Sequence, residues 1–207
     1  MARPRKDQAI DIPDRAVSET IRLLESREPE AVTMAEVAAA VGCSAPALYN
    51  HFRNRDALLR AVHDAGFARL FDTKLSVAVA SGGDAMARLR LGGLAYLRFA
   101  ADNPALYRLM FSPPPAVAAM PDPFAADPGM TSLVFLKAGI QAAQAEGYLP
   151  GRDPDLVAFT MWSAVHGAAA LIAAGRIPAA TRPVDALLTG TVDTIMGLIA
   201  DTRRPDG

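Results

Sequence analysis

The sequence predicts an all-α protein: a small N-terminal three-helix unit followed by a larger helical bundle. Three observations carry that prediction. Apolar residues recur at three- and four-residue spacing through most of the 207 residues. Ser, Thr, Asp or Asn precedes many of the periodic segments, and Gly or Pro follows them, as helix starts and stops require. No run of alternating β-branched residues stands out, and no Asn-Gly or Asp-Gly turn joins two such runs.

From Ile12 to Leu24, the residues Val17, Thr20, Ile21 and Leu24 repeat at helical spacing, and Pro13 sits where a first turn tolerates it. Pro29 ends this helix or follows its end. Thr33 and Glu36 then read as a capping box, in which each side chain satisfies the other residue's orphan N–H. The helix MAEVAAAV follows and stops at Gly42, a natural left-handed terminator. Ser44 caps a third helix with Pro46 inside its first turn, where the missing N–H costs little. Asn54 caps a fourth, running from Arg55 to about Lys74.

Beyond a Ser81-Gly82-Gly83 linker, Asp84 caps a helix reaching about Ala101. Its Gly92-Gly93 pair, costing about 1 kcal/mol per Gly relative to Ala, predicts a bend or a close packing contact. Asn103-Pro104 opens a short helix through Phe111. Ser112 to Gly129, rich in Pro and small residues, reads as a mobile loop. Thr131 to Glu146 is a helix ended by Gly147, and Asp153-Pro154 starts a strongly apolar one. The last helix spans about Val184 to Asp201, with Val184, Leu188, Thr191, Ile195 and Leu198 along one face.

Apolar residues make up 51% of the chain and charged residues 21%, enough for a packed core. The net charge of −1 excludes a protein that is basic overall, so any nucleic-acid face must come from local charge placement. A single cysteine, Cys43, excludes an internal disulfide and a zinc cluster of cysteines; it reads as a small turn residue. The N-terminal stretch has no apolar signal core, which points to the cytoplasm. Leu156 to Gly175 carries no charged residue and meets the length of a membrane span. Its Ala-rich content, broken by Thr160, Ser163, His166 and Gly167, reads instead as a buried interface helix, so no membrane partner is expected.

Two short helices separated by Gly42-Cys43-Ser44 form the unit that places a second helix in the major groove of DNA. The string VTMAEVAAAVGCSAPALYNHFRNRDALLRAV resembles the DNA-binding domain of the tetracycline-repressor (TetR) family, over about residues 12–62. The resemblance implies a helix-turn-helix DNA-binding domain, residues 1–62, ahead of a ligand-sensing and dimerisation domain, 63–207. It further implies that Tyr49 and His51 face phosphates. Arg55 stands where the family usually carries Lys; its guanidinium and the helix dipole both favour a phosphate there. Thr33 and Ser44 offer hydroxyl or backbone contacts, and the arm Arg3, Arg5 and Lys6 suits a phosphate strand or the minor groove. Each side chain also has a plainer reading: Tyr49 packed between helices with its hydroxyl exposed, His51 a surface histidine, Arg55 a solvated helix-start residue paired with nothing. The base-facing positions depart from the family's habit. Ala45, Pro46 and Ala47, with Ala35 on the helix before, cannot hydrogen-bond a base. Direct readout then falls to Asn50, to apolar contact with thymine methyls or to the arm.

Farther along, YLRFAADNPALYRLMF and WSAVHGAAALI resemble the sensor domain of the TetR subgroup named for its Trp-His-Gly motif. A pocket is expected among Tyr96, Phe99, Met110, Phe111, Phe135, Trp162 and His166, although the same residues describe an ordinary core. The partner so implied is a small, mainly apolar or aromatic ligand. Small residues at four-residue spacing, Thr160, Ala164 and Ala168, with Leu171 and the last helix's Leu188, Thr191, Ile195 and Leu198, suggest a homodimer interface. The sum is a ligand-responsive repressor that binds a palindromic operator in double-stranded DNA, with no cofactor and no catalytic or metal constellation. The alternatives are a helical ligand-binding protein or enzyme that keeps the helix-turn-helix without binding DNA, and a protein-interaction adaptor.

Overall fold

The computed structural model describes residues 11–80, 82–118, 128–177 and 183–203. Among these there is no β-strand. The elements are α1 (Ile12–Leu23), a 3-10 turn (Pro29–Ala31), α2 (Met34–Val41), α3 (Ala45–Tyr49), α4 (Arg55–Ala80), α5 (Ala85–Asp102), α6 (Pro104–Phe111), α7 (Pro115–Ala118), α8 (Pro128–Ala145), α9 (Pro154–Ala173) and α10 (Val184–Ala200).

The caps read from the sequence are in place. Thr33, Ser44, Asp84 and Asp153 each accept a hydrogen bond from a first-turn N–H, and so does Asp11, a cap the sequence reading did not name. Asn54 does the same for α4, its Oδ1 lying 2.8 Å from the Ala57 nitrogen. Thr33 and Glu36 form the full capping box. Gly42 turns the chain with φ of +79°, which a side chain would resist. Pro29, itself buried, opens the 3-10 turn.

Three boundaries differ from the sequence reading. α4 does not stop near Lys74 but continues to Ala80, because its second half packs on α5, α6 and α8. The segment read as a loop from Ser112 holds the one-turn α7, pinned by a buried Val117, and α8 begins at Pro128 rather than Thr131. Residues 119–127 of that segment, and the arm with Arg3, Arg5 and Lys6, lie outside the described residues. Gly92-Gly93 does not interrupt α5. Gly93 is instead a close packing point, since a Cβ there would lie 3.4 Å from the Val192 side chain of α10.

α1, α2 and α3 pack on one another, and α1 packs on α4. Ala16, Val37, Val41, Leu48, Leu58 and Leu59 are sealed from solvent at their centre. α5 is the hub of the second half, with neighbours α4, α6, α8, α9 and α10. α9 is long and apolar enough to cross a membrane by length and composition. It packs one face on α5, α6, α8 and α10, burying Ala158, Met161, Ala169, Ile172 and Ala173 there, and 28% of its apolar stretch is buried.

Among the described residues, one tie fastens the N-terminal unit to the start of α4 and another joins that unit to the second half. The Arg55 guanidinium donates to the Glu30 carbonyl at 3.0 Å, fastening the 3-10 turn to the start of α4. Arg108 on α6 pairs with Glu28, just ahead of that turn, and donates to the carbonyl of Ala173 at the end of α9.

Candidate nucleic-acid interface and ligand cavity

α2 and α3 present one continuous polar surface. Thr33, Ser44, Pro46, Tyr49, Asn50 and His51 are exposed, and Ala45 and Ala47 partly so. Tyr49 is half exposed, as either of its readings allows. Leu48 and Phe52, its neighbours on α3 and just beyond, are the buried pair that seats α3. Arg55 is not the solvated, unpaired residue of the plainer reading, because it holds Glu30. Arg53, which the sequence reading passed over, is exposed, adjoins the same surface and has no ion-pair partner among the described residues. Its signal in the sequence is its place between His51 and Arg55.

The expected pocket residues divide into two groups. Tyr96, Phe135 and Trp162 line a cleft bounded by α4, α5, α8, α9 and α10, with a cavity volume of about 70 Å³ and a mouth partly open to solvent. Its other walls are Leu89, Gly92, Gly93, Leu136, Gly139, Met161, Val165, Val192, Ile195 and Met196, and two cations, Lys74 and Arg88, look into it. The remaining expected residues do not line it. Phe99 faces a separate cleft between α4 and α5. Met110 is core, packed so closely on Gly66 that a Cβ at Gly66 would come within 2.7 Å of its sulfur. Phe111 is a ring partner of Phe67, Tyr107 and His166.

His166 sits behind the cavity wall in a hydrogen-bonded triad. Its Nδ1 lies 3.0 Å from the Tyr96 hydroxyl and 2.8 Å from that of Tyr107, and the two hydroxyls are 3.1 Å apart. One hydroxyl donates to Nδ1 and the other to its neighbour, an arrangement complete with a neutral imidazole. Burial lowers the His166 pKa accordingly. It raises the Tyr96 phenol to about 12 and pushes Tyr107 up as well. The triad joins α5, α6 and α9, and reaches the cavity through Tyr96 and through Trp162, whose ring is 5.2 Å from His166.

The Lys74 ammonium stands 6.0 Å from the centre of the Tyr96 ring, and burial lowers its pKa to about 8. The sequence reading missed Lys74 because it took that residue for the end of α4. The signal was there: Leu59, His63, Phe67 and Leu70 form the buried stripe of α4, and Lys74 is its next member.

The residues expected at the interface are mostly exposed on α9 and divided between core and surface on α10. Thr160, Ala164 and Leu171 are exposed, together with Leu156 and Phe159, while Ala168 is half-buried. On α10 the buried stripe is Leu188, Val192, Met196 and Ile199. Leu188 is therefore core, 2% exposed and closed to a partner. Thr191 and Ile195 are half-buried, and Leu198 is fully available at 67% exposed. The sequence face drawn through Val184, Leu188 and Leu198 straddled two sides of α10, because that helix is apolar on both.

Comparison with known proteins follows the same division of the chain. Residues 16–62 match the model for bacterial regulatory proteins of the tetR family, and residues 89–195 match that for tetracyclin repressor-like C-terminal domains. A curated relative, an uncharacterized HTH-type transcriptional regulator of Mycobacterium tuberculosis, is 36% identical over 94 residues. That match takes in 45% of this chain and 46% of the relative, so it spans about half the length of the curated relatives. Among solved structures, a protein with unknown function from a Rhodococcus species superposes with a TM-score of 0.77 at 26% identity, covering 95% of this chain and all of that one. The TetR family regulator PfmR from Thermus thermophilus gives 0.67 at 18% identity, covering 89% and 98%, and shares the fold.

Proposed function

The chain belongs to the tetracycline-repressor (TetR) family of bacterial transcriptional regulators, and from that premise we propose that it is a ligand-responsive repressor binding a palindromic DNA operator as a homodimer. One observation carries the reading: a single helix, α4, begins beside the exposed α2–α3 surface and carries Lys74 into the cavity wall. The two positions, Arg55 and Lys74, are about 28 Å apart along the helix at 1.5 Å per residue.

In this reading residues 1–62 form the DNA-binding domain and 63–207 the sensing and dimerisation domain, with α4 crossing the boundary. Tyr49, His51, Arg53 and Arg55 contact phosphates, with Thr33 and Ser44 at helix starts, and set register rather than sequence preference. Asn50 and the small side chains of Ala45, Pro46 and Ala47 meet base edges. The exposed face of α9, with Leu198 of α10, is the dimer seam; several large apolar side chains in open solvent there support a partner surface. The protein acts in the cytoplasm, as a regulator and not as an enzyme.

Ligand entry parts α4 from α8 and α9 and swings the start of α4, and with it α3, relative to the partner's α3. A ligand shifts DNA affinity only by its preference for one arrangement over the other, in general about 1–3 kcal/mol, or about 5–150-fold. The Arg55–Glu30 and Arg108–Glu28 ties transmit the displacement. The test is to select bound fragments from genomic DNA, then measure operator affinity against salt. Recovery of a palindromic site with salt-sensitive affinity supports the reading. No enrichment of any sequence refutes it in favour of a non-DNA-binding ligand carrier or adaptor.

A further inference from the structure

We propose that the cavity is built for an amphipathic carboxylate, whose charged head pairs with Lys74 and whose apolar body lies against Tyr96, Phe135, Met161 and Trp162. This names the chemistry of the effector and so rests on the reading of the cavity as the effector site.

The argument starts from the pattern of α4. The buried stripe of α4 runs Leu59, His63, Phe67 and Leu70, with His63 Nδ1 2.8 Å from Asp64 Oδ1, and the next position carries an ammonium that has no such partner among the described residues. Among the described residues no Asp or Glu lines the cavity. No hydrogen bond or ion pair reaches Lys74 among them either; its contact is the Tyr96 ring. A cation taken out of water without a counter-charge is costly to the fold, and the depressed pKa is the signature of that cost. The second cation, Arg88, spends one Nη2 donor on the Gly83 carbonyl at 3.2 Å and keeps others.

These features select among ligands. A cationic ligand meets two like charges and no acid. A neutral apolar ligand fills the walls but strips water from the ammonium with nothing in return. A carboxylate returns to Lys74 the charge-assisted hydrogen bond that the protein withholds. One half-buried ammonium and one partly engaged guanidinium match a single carboxylate. Because Lys74 is on α4, the head group's pull acts on the helix that leads to the DNA-facing surface.

Trp162 is the only tryptophan in the sequence and lines the cavity, so its fluorescence reports binding directly. The probes are decanoate and 4-phenylbutyrate, each compared with its primary amide, which has the same body without the charge. The expected result is that at least one acid binds wild type about 10-fold more tightly than its amide, a preference worth about 1.4 kcal/mol. In Lys74→Met the ratio falls to within about 2-fold while the amide still binds, and Lys74→Arg keeps the acid preference. Lys74→Gln replaces Lys74→Met if that variant aggregates. An acid preference that survives loss of Lys74 overturns the proposal, as does a wild type that binds no acid better than its amide, including one that binds none of the four. Operator affinity measured in parallel separates this from the regulatory reading. Lys74-dependent acid binding that leaves operator affinity unchanged keeps the carboxylate site and refutes regulation. Operator release by an amide without acid preference keeps regulation and refutes the carboxylate site.

Discussion

Replacing Lys74 by Met removes the charge and keeps an unbranched, adaptable side chain against Tyr96 and Trp162. The folded-state pKa of about 8, against 10.5 for a free lysine side chain, sets the size of the effect. At about 1.4 kcal/mol per tenfold, the interval corresponds to at most about 3.5 kcal/mol. Partial exposure of the side chain and loss of the Tyr96 contact reduce this, so Lys74→Met is expected to stabilise the ligand-free protein by about 1–3 kcal/mol at pH 7. The pH dependence identifies the cause. Below pH 8 both folded and unfolded chains hold the Lys74 proton, and the full penalty is present. Between pH 8 and 10.5 the unfolded chain holds more of it than the folded one, so wild-type stability rises with pH by up to about 1.4 kcal/mol per unit. The variant's advantage should therefore shrink by up to about 2 kcal/mol between about pH 7 and 9.5. The assay is urea unfolding of both proteins by circular dichroism at matched protein concentration, across that range. A difference that is constant with pH would mean packing rather than charge, and a destabilised variant at pH 7 would refute the account of Lys74 as a strained cation.

Tyr107→Phe alone should cost about 0.5–1.5 kcal/mol, because Tyr96 still reaches His166; adding Tyr96→Phe strands the imidazole Nδ1, so the double variant should lose more than the two singles combined, read by a double-mutant cycle of urea midpoints. Burial of His166 places its folded pKa below the unfolded value of about 6.5, so stability falls as pH drops below that value toward the lower folded one. The stability advantage of wild type over His166→Gln should accordingly narrow between about pH 7 and 5, and an unchanged gap would contradict a neutral buried imidazole. Ala164→Arg, on the exposed face of α9, should convert the dimer to a folded monomer in sedimentation at micromolar concentration while shifting protomer stability by less than about 0.5 kcal/mol. Arg53→Ala and Tyr49→Phe should weaken binding to every DNA sequence alike. With about six to eight phosphates neutralised per dimer, the log–log salt slope should be about −5 to −7, made shallower by Arg53→Ala; a changed sequence preference would reassign Arg53 to base readout.

The helix-turn-helix was legible in the sequence because its determinants are local. A cap such as Thr33 or Ser44 acts within three residues, Gly42 terminates a helix by its own backbone freedom, and the spacing from Leu48 to Phe52 lies within a little more than one helical turn. The same locality made the starts of α4, α5 and α9 readable from Asn54, Asp84 and Asp153. The membership of the family followed from such local strings.

What lay beyond local reach was decided by packing. Whether α4 ended at Lys74 or at Ala80 depended on α5, α6 and α8 lying against its second half, and no cap marked the difference. Aromatic residues on α5, α6 and α9 looked interchangeable as pocket walls. Only their assembly sent Tyr107, Phe111 and His166 into a closed triad and its ring contacts, while Trp162 and Phe135 faced the cavity. On α10, apolar on two sides, periodicity named both faces and could rank neither. The approach of α5 at Gly93 chose the side carrying Leu188 and Val192 for the core and left Leu198 in solvent. The sequence by itself determined where helices begin and which short motif they build, because those choices are made by neighbours along the chain. The tertiary structure decided which face of each helix is inside, and that an ammonium at Lys74 stands without a counter-charge among the described residues in a mostly apolar wall, because burial is a property of what packs across from a residue.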